Sequence, residues 1–323
     1  MKIFMAGCEG LIPYQASSFA GIKNILFSYY HLGSKMSDAK TLFSLMNKRD
    51  QEVICDSGLF TMMFGAGKGK TYSYSELLEY TKNYIKTAKQ FGVNRLTIVE
   101  MDTHKILPIN QLWEFRKHFE DSGIPTLYVW HLEETIDGLF KLAEKYNYIA
   151  LSVPEIRILC KDKKTRYQDV VNDLLYKIQK NVGKVPKIHL LGNTVMETME
   201  TNTAYSCDSS SWTYCVRHAR CHFYMDGRIQ QKYLGRKSDQ KYLDLFKEET
   251  KLLIEKNDEL KEFLVGKTDK QRDYFLQLVF SATSFQKYQL KLNTKKPYEV
   301  PHEKKLQHSR IADRSDQAQS LES

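Results

Sequence analysis

The sequence has no apolar stretch that approaches the length of a membrane-spanning helix, about 20 residues. Its first residues, MKIFMAGCEG, lack the long apolar run of a signal peptide and are typical of a strand that enters a glycine turn. The six cysteines are scattered, at positions 8, 55, 160, 207, 215 and 221, and nothing in the sequence indicates secretion. We therefore expect reduced thiols, a cytoplasmic location and no membrane partner.

A complete phosphate-binding P-loop is also missing. Residues 64–71 are FGAGKGKT, but the motif requires a glycine five positions before its Gly-Lys-Thr, and Phe64 stands there instead. Because the backbone cradle for phosphate depends on that glycine, this segment does not predict a nucleoside triphosphatase. Its Lys68 and Lys70 instead favour a flexible basic loop that contacts nucleic-acid phosphates.

The bulk composition is that of a folded protein. With 323 residues, 42% hydrophobic and 27% charged, the chain can form one large α/β barrel or two ordinary domains. The formal net charge of +9 favours a polyanionic partner. The net charge alone does not establish a nucleic-acid partner, because many basic proteins bind no nucleic acid.

Short apolar runs alternate with amphipathic stretches, which is the pattern of parallel α/β folds. The runs predict seven strands, and an eighth is expected within 221–229. Eight strands would close a (β/α)8 TIM-like barrel, which we favour, whereas fewer would leave an open doubly wound sheet. Ser73 and Glu76 have capping-box spacing at the start of the first predicted helix. The predicted strands are 2–5, 52–55, 96–101, 126–130, 148–153, 187–191 and 204–207, and the predicted helices between them include 73–90, 109–121, 132–146 and 167–181.

The sequence changes character after Gly235. We assign the barrel to 1–235 and a C-terminal helical segment, packed on the barrel, to 236–292. The charged stretches 237–265 and 271–292 are its expected helices. The polar residues 293–323 are expected to form a disordered tail.

Several polar residues or glycines directly follow predicted strands. In a (β/α)8 barrel the C-terminal strand ends converge on the face that carries the active site, so these residues could share one pocket. An aspartate at such a position can also be a helix cap or a turn residue, and that alternative stays open for each one alone. The residues at strand ends are Asp56, Asp102, His131, Glu155, Gly192 and Asp208.

Paired carboxylates at one anomeric carbon can exchange the group bonded to it. One carboxylate attacks C1′ and forms a covalent intermediate, while the other protonates the leaving base and later deprotonates the incoming one. A further carboxylate could accept hydrogen bonds from N1–H and the 2-amino group of a guanine-like base.

The segments around these residues resemble, in order, the motifs of the tRNA-guanine transglycosylase family. Residues 55–60, CDSGLF, resemble the family's Asp-Ser-Gly-Gly-Phe-Gln motif, and residues 99–102, VEMD, resemble the strand that ends in its base-recognising Asp. Residues 150–155, ALSVPE, resemble Gly-Leu-Ala-Val-Gly-Glu, and residues 189–192, HLLG, resemble Tyr-Leu-Met-Gly. His131 stands where the family has a Gln, and Asp208 stands where it has its nucleophilic Asp. The ordered set, over about residues 50–230, carries the resemblance.

The resemblance implies a barrel enzyme that exchanges a purine base in a nucleic acid. It implies that Asp208 is the nucleophile, Asp56 the general acid/base and Asp102 the reader of the purine edge. No redox cofactor, nucleoside triphosphate or catalytic metal is expected, because the covalent intermediate conserves the bond energy. The other implied substrate-binding residues are Phe60 and Leu191, which would sandwich the base, Ala150 and Leu151, which would present backbone groups to it, and Ser57, Gly58, His131 and Gly192.

The chain departs from the family pattern at several positions. Leu59 replaces the second Gly of the first motif, Thr61 replaces its Gln, and Pro154 replaces a Gly beside the base site. The family's Cys-x-Cys-x-x-Cys…His zinc site is absent, since no cysteine follows Cys221, and sequence support for the zinc-organised domain and its dimer is lost with it. In these departures the chain is similar to the divergent phage and bacterial branch that inserts 7-deazaguanines into DNA; for a phage protein the location would be the host cytoplasm.

The expected partners are therefore DNA and a free 7-deazaguanine base such as preQ0. One alternative is the same exchange in tRNA, and another is a non-catalytic nucleic-acid-binding subunit on the same fold. The joint presence of Asp56, Asp102 and Asp208 argues against the non-catalytic alternative. The basic residues expected to contact phosphates, besides the lysines of the 64–71 segment, are Arg217, Arg220 and Arg228, although such a run can also be a solvated face.

Two further signals allow different interpretations. One is a Cys/His segment formed by Cys207, Cys215, His218, Cys221 and His222. These are residue types that zinc accepts, but their spacing matches no zinc motif and buried thiols are the favoured interpretation. His189 lies inside a predicted strand and is interpreted as a hydrogen-bonded core histidine.

Overall fold

A computed structural model of the chain describes residues 1–32, 36–64, 70–161, 165–193, 195–235 and 239–294. Eight parallel strands close into a barrel in chain order, and helices follow the strands, so the fold is the predicted (β/α)8 barrel rather than an open sheet. The strands are short and their central residues are buried, as expected when both faces of a parallel sheet are covered. They are β1 (Lys2–Ala6), β2 (Asn24–Ser28), β3 (Glu52–Asp56), β4 (Leu96–Val99), β5 (Thr126–Trp130), β6 (Tyr148–Ser152), β7 (Lys187–Leu191) and β8 (Ser206–Ser209).

The helices between the strands agree well with the amphipathic pattern. The predicted helix 167–181 is observed with the same ends, and Ser73 and Glu76 form the predicted capping box, with Ser73 N–H donating to Glu76 Oε2 at 2.7 Å and Glu76 N–H to Ser73 Oγ at 3.3 Å. The helices are α1 (Leu11–Phe19), α2 (Tyr29–Leu32), α3 (Met36–Lys48), α4 (Leu59–Phe64), α5 (Tyr74–Gln90), α6 (Ile109–Glu120), α7 (Thr135–Lys145), α8 (Val153–Cys160), α9 (Tyr167–Asn181), α10 (Met196–Glu200) and α11 (Ser211–Arg217), with 3₁₀ turns at Thr103–Lys105 and Leu132–Glu134.

The expected strand within 221–229 is present, but its assignment as the eighth strand of the barrel was wrong. That segment belongs to an antiparallel hairpin outside the barrel, β9 (Arg220–Met225) and β10 (Arg228–Tyr233). The strand that the sequence analysis missed is β2, whose five residues NILFS are all buried and pair with β3 in parallel register, Phe27 opposite Cys55. A short run that is buried on both faces shows no alternation, so periodicity does not distinguish it from a piece of helix.

The C-terminal segment is helical, as expected, but it contains an additional break. Three helices replace the two predicted ones: α12 (Gln240–Glu255), α13 (Asp258–Phe263) and α14 (Asp269–Thr294). Asn257 starts α13 by accepting a hydrogen bond from Leu260 N–H at 2.9 Å. Helix α14 continues to Thr294, so the first two residues of the expected tail are helical, and the rest of that tail lies outside the described residues. Among the described helices none is long and apolar enough to cross a membrane.

By its internal contacts the chain divides into two compact units. Within the described residues, the first contains Met1–Asp56, Phe91–Leu96 and 208–294, and the second contains Ser57–Gln90 and Thr97–Cys207.

The core of the first unit is built around α14. This helix packs on α1 and on β9, and it brings Phe275 within 4.5 Å of Phe263 and 6.0 Å of Phe19 between ring centroids. The indole of Trp212 is fully buried and donates from Nε1 to the carbonyl of Ala6 at 2.8 Å, which ties α11 to the end of β1.

The core of the second unit contains a charged network. Arg116 on α6 is fully buried and binds two buried carboxylates, Glu100 after β4 and Glu134 before α7. Arg116 Nε donates to Glu100 Oε2 at 2.9 Å, and Arg116 Nη1 donates to Glu134 Oε1 at 2.6 Å. Because a buried charge is costly unless it is paired, this network holds three elements in one arrangement.

Candidate functional site

Two histidines and a glutamate form a compact cluster in the second unit. His104 lies in the 3₁₀ turn after β4, His131 follows β5 directly, and Glu155 lies in the first turn of α8 after β6. The imidazole rings of His104 and His131 are stacked, with centroids 3.4 Å apart and planes 16° from parallel. His104 Nε2 lies 2.7 Å from Glu155 Oε1, which is hydrogen-bond distance.

His131 is the most enclosed member of this cluster. The residue is 1% exposed, and neither of its ring nitrogens makes a hydrogen bond. Nδ1 lies 3.6 Å from Glu155 Oε2, and Nε2 lies 3.6 Å from Asp102 Oδ1. The imidazole therefore stands between two carboxylates without contacting either at hydrogen-bond distance.

The charge states of the cluster follow from burial and hydrogen bonding. Burial lowers the pKa of His131 below its usual range, so the neutral imidazole is favoured. Burial would raise the pKa of Glu155, but the hydrogen bond with His104 and the adjacent His131 outweigh that effect and hold this pKa well below its usual range. The cluster thus contains the ionised carboxylate of Glu155. The side chain of Asp102, which lies beside His131, is 26% exposed.

The charged network of the second unit positions this cluster. Glu134 Oε2 accepts a hydrogen bond from His131 N–H at 3.1 Å, and Arg116 Nη2 donates to the Val129 carbonyl at 2.8 Å. Glu100 accepts from Val129 N–H at 2.6 Å and stands two residues before Asp102. The ends of β4 and β5, which carry Asp102 and His131, are therefore fixed to one buried guanidinium.

The cluster offers metal-ligand chemistry as well as hydrogen bonding. One ligating atom from each of His104, His131 and Glu155 lies within 4.8 Å of one from each of the others. Two imidazoles and a carboxylate form a donor set that transition-metal ions accept. Among the described residues, this is the group of three His, Cys, Asp or Glu side chains whose ligating atoms lie close enough together to hold one metal ion.

The residues expected to bind the base in the second unit lie at or near strand ends. Ser57 is buried and its carbonyl accepts from Tyr80 Oη at 2.7 Å, and Gly58 adopts a φ of +80° before α4. Ala150 and Leu151 are fully buried inside β6, which ends one residue later. Phe60 lies in α4, but its side chain lies outside the described residues.

At position 192, among the residues expected to bind the base, steric constraints explain why glycine is present. It follows Leu191, the last residue of β7, and it turns the chain with a φ of +64°. A Cβ at this position would lie 3.0 Å from Pro154 Cγ, at the start of α8. Glycine is therefore required both by the backbone conformation and by the close approach to Pro154.

The two residues expected to perform the covalent chemistry belong to the first unit. Asp56 is the last residue of β3 and is half-buried. Asp208 is 8% exposed and lies in β8, before α11. A further carboxylate of that unit, Glu9, lies near the end of the neighbouring strand β2. Its Oε1 accepts a hydrogen bond from Ser28 N–H at 2.9 Å, and Ser28 is paired with Asp56 in the β2–β3 register.

The expected phosphate-contacting residues that the structure describes are three arginines of the first unit and Lys70 of the second. Arg217 ends α11 and is exposed, and Arg228 is exposed at the start of β10. Arg220 is half-buried, stacks on the Tyr233 ring at 4.4 Å and donates to its hydroxyl, so the hairpin engages this side chain. Lys70 is exposed before α5, whereas Lys68 lies outside the described residues.

The Cys/His segment shows no ligand arrangement in its described side chains. Cys221 is buried with Sγ 3.8 Å from the Gln277 carbonyl, and His222 packs on Phe285 at 4.9 Å between centroids. Cys207 is buried with Sγ 3.5 Å from Met199 Sδ. The side chain of Cys215 lies outside the described residues.

His189 is a hydrogen-bonded core histidine, as predicted. It is fully buried in β7, and its Nδ1 lies 2.8 Å from Ser206 Oγ on the neighbouring strand.

The sequence analysis did not identify His104 as a member of this cluster or Arg116 as its support, and it named Glu155 only by its position after a strand. A signal for His104 exists, because it stands two residues after Asp102, at the same strand end. No local signal exists for Arg116, since a charged residue in an amphipathic helix normally lies on the solvated face.

The sequence has no match among models of known protein families, and no curated protein matches it.

Proposed function

We propose that the protein exchanges guanine in DNA for a 7-deazaguanine base through a covalent aspartyl intermediate. The observation that carries the proposal is the position of three aspartates on a closed eight-stranded barrel. Asp56 ends β3, Asp102 follows β4, and Asp208 lies in β8. Active sites of (β/α)8 enzymes are built at the C-terminal ends of strands, and the ordered motifs around these aspartates resemble those of guanine transglycosylases.

In the proposed reaction, the Asp208 carboxylate attacks C1′ of the target nucleotide. The bond from C1′ to N9 of guanine breaks, and the electron pair goes to the base, which takes a proton from Asp56. The incoming base then loses its N9 proton to Asp56 and attacks C1′ with N9, which releases Asp208. The configuration at C1′ is retained by the two displacements, and no external energy source is consumed.

Asp102 is proposed to recognise the purine. Its side chain is 26% exposed at a strand end, so one carboxylate can accept hydrogen bonds from N1–H and the 2-amino group of guanine or a 7-deazaguanine. The network through Arg116 supports this role, because it fixes the strand end two residues before Asp102.

The choice of DNA rests on the sequence. The cysteine-rich zinc motif that accompanies the tRNA enzymes is absent after Cys221. The net charge of +9 and the exposed Lys70, Arg217 and Arg228 favour a polyanion, whose binding must weaken with salt. In duplex DNA the target base must leave the stack, which costs a few kcal/mol, so single-stranded or locally opened DNA should react faster.

The test is the incorporation of radiolabelled guanine into matched DNA and tRNA substrates at one salt concentration. Label should enter DNA, faster in single-stranded or bulged oligonucleotides than in perfect duplex, with Asp208→Asn as the inactive control. Preferential labelling of tRNA would overturn the choice of DNA. Absence of label from both polymers, with a folded protein, would overturn base exchange and favour a non-catalytic nucleic-acid-binding subunit.

A further inference from the structure

We propose that His104, His131 and Glu155 bind a divalent transition-metal ion, with Zn²⁺ as the representative ion. The proposal goes beyond base exchange, whose chemistry requires no metal. It places a cation where the loops after β4, β5 and β6 come together in the second unit.

The distances between the ligand atoms lie near those around a small ion, and the stacked imidazole rings must tilt apart so that both nitrogen lone pairs point at it. Ligands of a tetrahedral zinc ion, at bonds of about 2.0–2.1 Å, lie about 3.3 Å apart. The 2.7 Å between His104 Nε2 and Glu155 Oε1 and the 3.6 Å between His131 Nδ1 and Glu155 Oε2 lie on either side of that spacing. We assign Nε2 of His104, Nδ1 of His131 and the Glu155 carboxylate as the ligands.

The unsatisfied nitrogens of His131 are the second, independent observation. A buried imidazole normally has a hydrogen-bond partner for each nitrogen, and both nitrogens of His131 lack one. A cation at Nδ1 would satisfy that nitrogen and leave the proton on Nε2, which faces Asp102 Oδ1 at 3.6 Å. A histidine that binds a metal through one nitrogen and donates from the other to a carboxylate is the usual supporting arrangement of such sites.

The carboxylates of the cluster favour a cation. Glu155 Oε1 lies 2.7 Å from His104 Nε2, and Asp102 Oδ1 lies 3.6 Å from His131 Nε2. Arg116, which supports the cluster, is itself engaged by Glu100 and Glu134. Three protein ligands leave a coordination position for water, and the side chains of Glu155 and Asp102, 19% and 26% exposed, leave a route for entry.

The ligand set predicts a nitrogen- and oxygen-bound ion with no thiolate. Borderline ions such as Zn²⁺, Co²⁺ and Fe²⁺ suit two imidazoles and one carboxylate, whereas Mg²⁺ and Ca²⁺ prefer oxygen ligands. Co²⁺ is the useful probe, because its visible spectrum reports both the geometry and the presence of sulfur among its ligands.

The experiment is titration of the chelator-treated full chain with Zn²⁺ against a competing dye, and with Co²⁺ by absorption spectroscopy. We expect one ion per chain, Co²⁺ d–d bands without a thiolate charge-transfer band, and at least a hundredfold weaker binding in His104→Gln, His131→Gln and Glu155→Gln. His118→Gln and Glu133→Gln, which change the same residue types on the surface of the same unit, should bind like the original protein.

Each contrary result overturns the assignment without depending on base exchange. If the original protein bound neither Zn²⁺ nor Co²⁺ at one ion per chain, the site would be excluded. This result does not depend on whether any variant folds. A thiolate-to-cobalt band would move the ion to cysteines. Unchanged affinity in His131→Gln and His104→Gln, with circular dichroism spectra like that of the original protein, would show that the ion binds elsewhere.

Discussion

Glu134 accepts a hydrogen bond from the backbone N–H of His131 at 3.1 Å while it is held by the guanidinium of Arg116. The buried Arg116–Glu134 pair thereby fixes the backbone at the end of β5, directly before the side chain of His131 enters the candidate site. The same guanidinium binds Glu100, two residues before Asp102. Stability and the geometry of the candidate site are therefore coupled through Arg116.

Arg116→Met should destabilise the protein by about 3–5 kcal/mol, because it leaves Glu100 and Glu134 buried without their cation. The measurement is urea unfolding followed by circular dichroism. Arg95→Met is the matched control: Arg95 pairs with Asp50 and Glu52 but is 47% exposed, so its loss should cost less than about 1 kcal/mol. Similar costs for the two variants would contradict a structural role for the buried network.

Gly192→Ala should cost more than Gly92→Ala, although both glycines have a positive φ, +64° and +62°. A Cβ at Gly92 meets nothing within 4 Å, so that variant measures the backbone term alone, about 1–2 kcal/mol. A Cβ at Gly192 would lie 3.0 Å from Pro154 Cγ and should add a further cost of about 1 kcal/mol. Urea unfolding of both variants is the measurement, and equal costs would show that Pro154 moves away without penalty.

His222 should make the protein less stable in acid. Burial lowers the pKa of His222 to about 4, whereas the unfolded chain binds the proton near pH 6.5. The neutral imidazole therefore contributes stability that is present above pH 6.5 and is lost progressively as the pH falls towards 4, by up to about 1.4 kcal/mol per pH unit. Among the described residues, the ring contacts Gln231 at 3.2 Å and Phe285, and neither is an anion that would hold the charged form.

The measurement for His222 is the unfolding free energy as a function of pH, in the original protein and in His222→Gln. The unfolding free energy of the original protein minus that of His222→Gln should fall as the pH drops from 6.5 to 4, because only the original protein takes up the additional proton on unfolding. Parallel curves through this range would contradict the lowered pKa. The absolute stability of the variant does not enter the comparison.

Seven of the eight barrel strands could be located from the sequence because each apolar run stops at a polar residue or a glycine, but two ends differ most: β4 ends at Val99, and β8 extends to Ser209, so Asp208 lies inside the strand rather than after it. Strand β2 could not, since its buried run carries no periodic signal. The partners of the buried Arg116 could not be predicted either. Arg116 lies in an amphipathic helix, and Glu100 and Glu134, which bind it, are 16 and 18 residues away in the chain. His104 became significant only when the structure stacked it on His131, from the next strand end.

Asp102→Ala should raise the KM for the free base by about tenfold or more without changing the fold. Loss of a charged hydrogen-bond partner costs about 1.5–3 kcal/mol, and about 1.4 kcal/mol corresponds to a factor of ten. The measurement is the rate of base incorporation as a function of base concentration. Asp121→Ala, an exposed carboxylate at the end of α6, is the control and should leave KM unchanged. An unchanged KM in Asp102→Ala would reduce Asp102 to a turn residue.

Asp208→Asn should abolish base exchange and the covalent adduct while it preserves the fold. The amide has nearly the size of the carboxylate, so the 8% exposed position can keep its packing, but the uncharged oxygen no longer attacks C1′. Asp226→Asn makes the same change in the β9–β10 turn of the same unit, where the φ of +51° suits asparagine, and it should retain activity. The measurement is a denaturing gel with a labelled oligonucleotide and a 7-deazaguanine base. A shifted covalent band that persists in Asp208→Asn would remove Asp208 from the nucleophile role, whereas loss of the band in Asp226→Asn as well would show that the change acts through stability rather than chemistry.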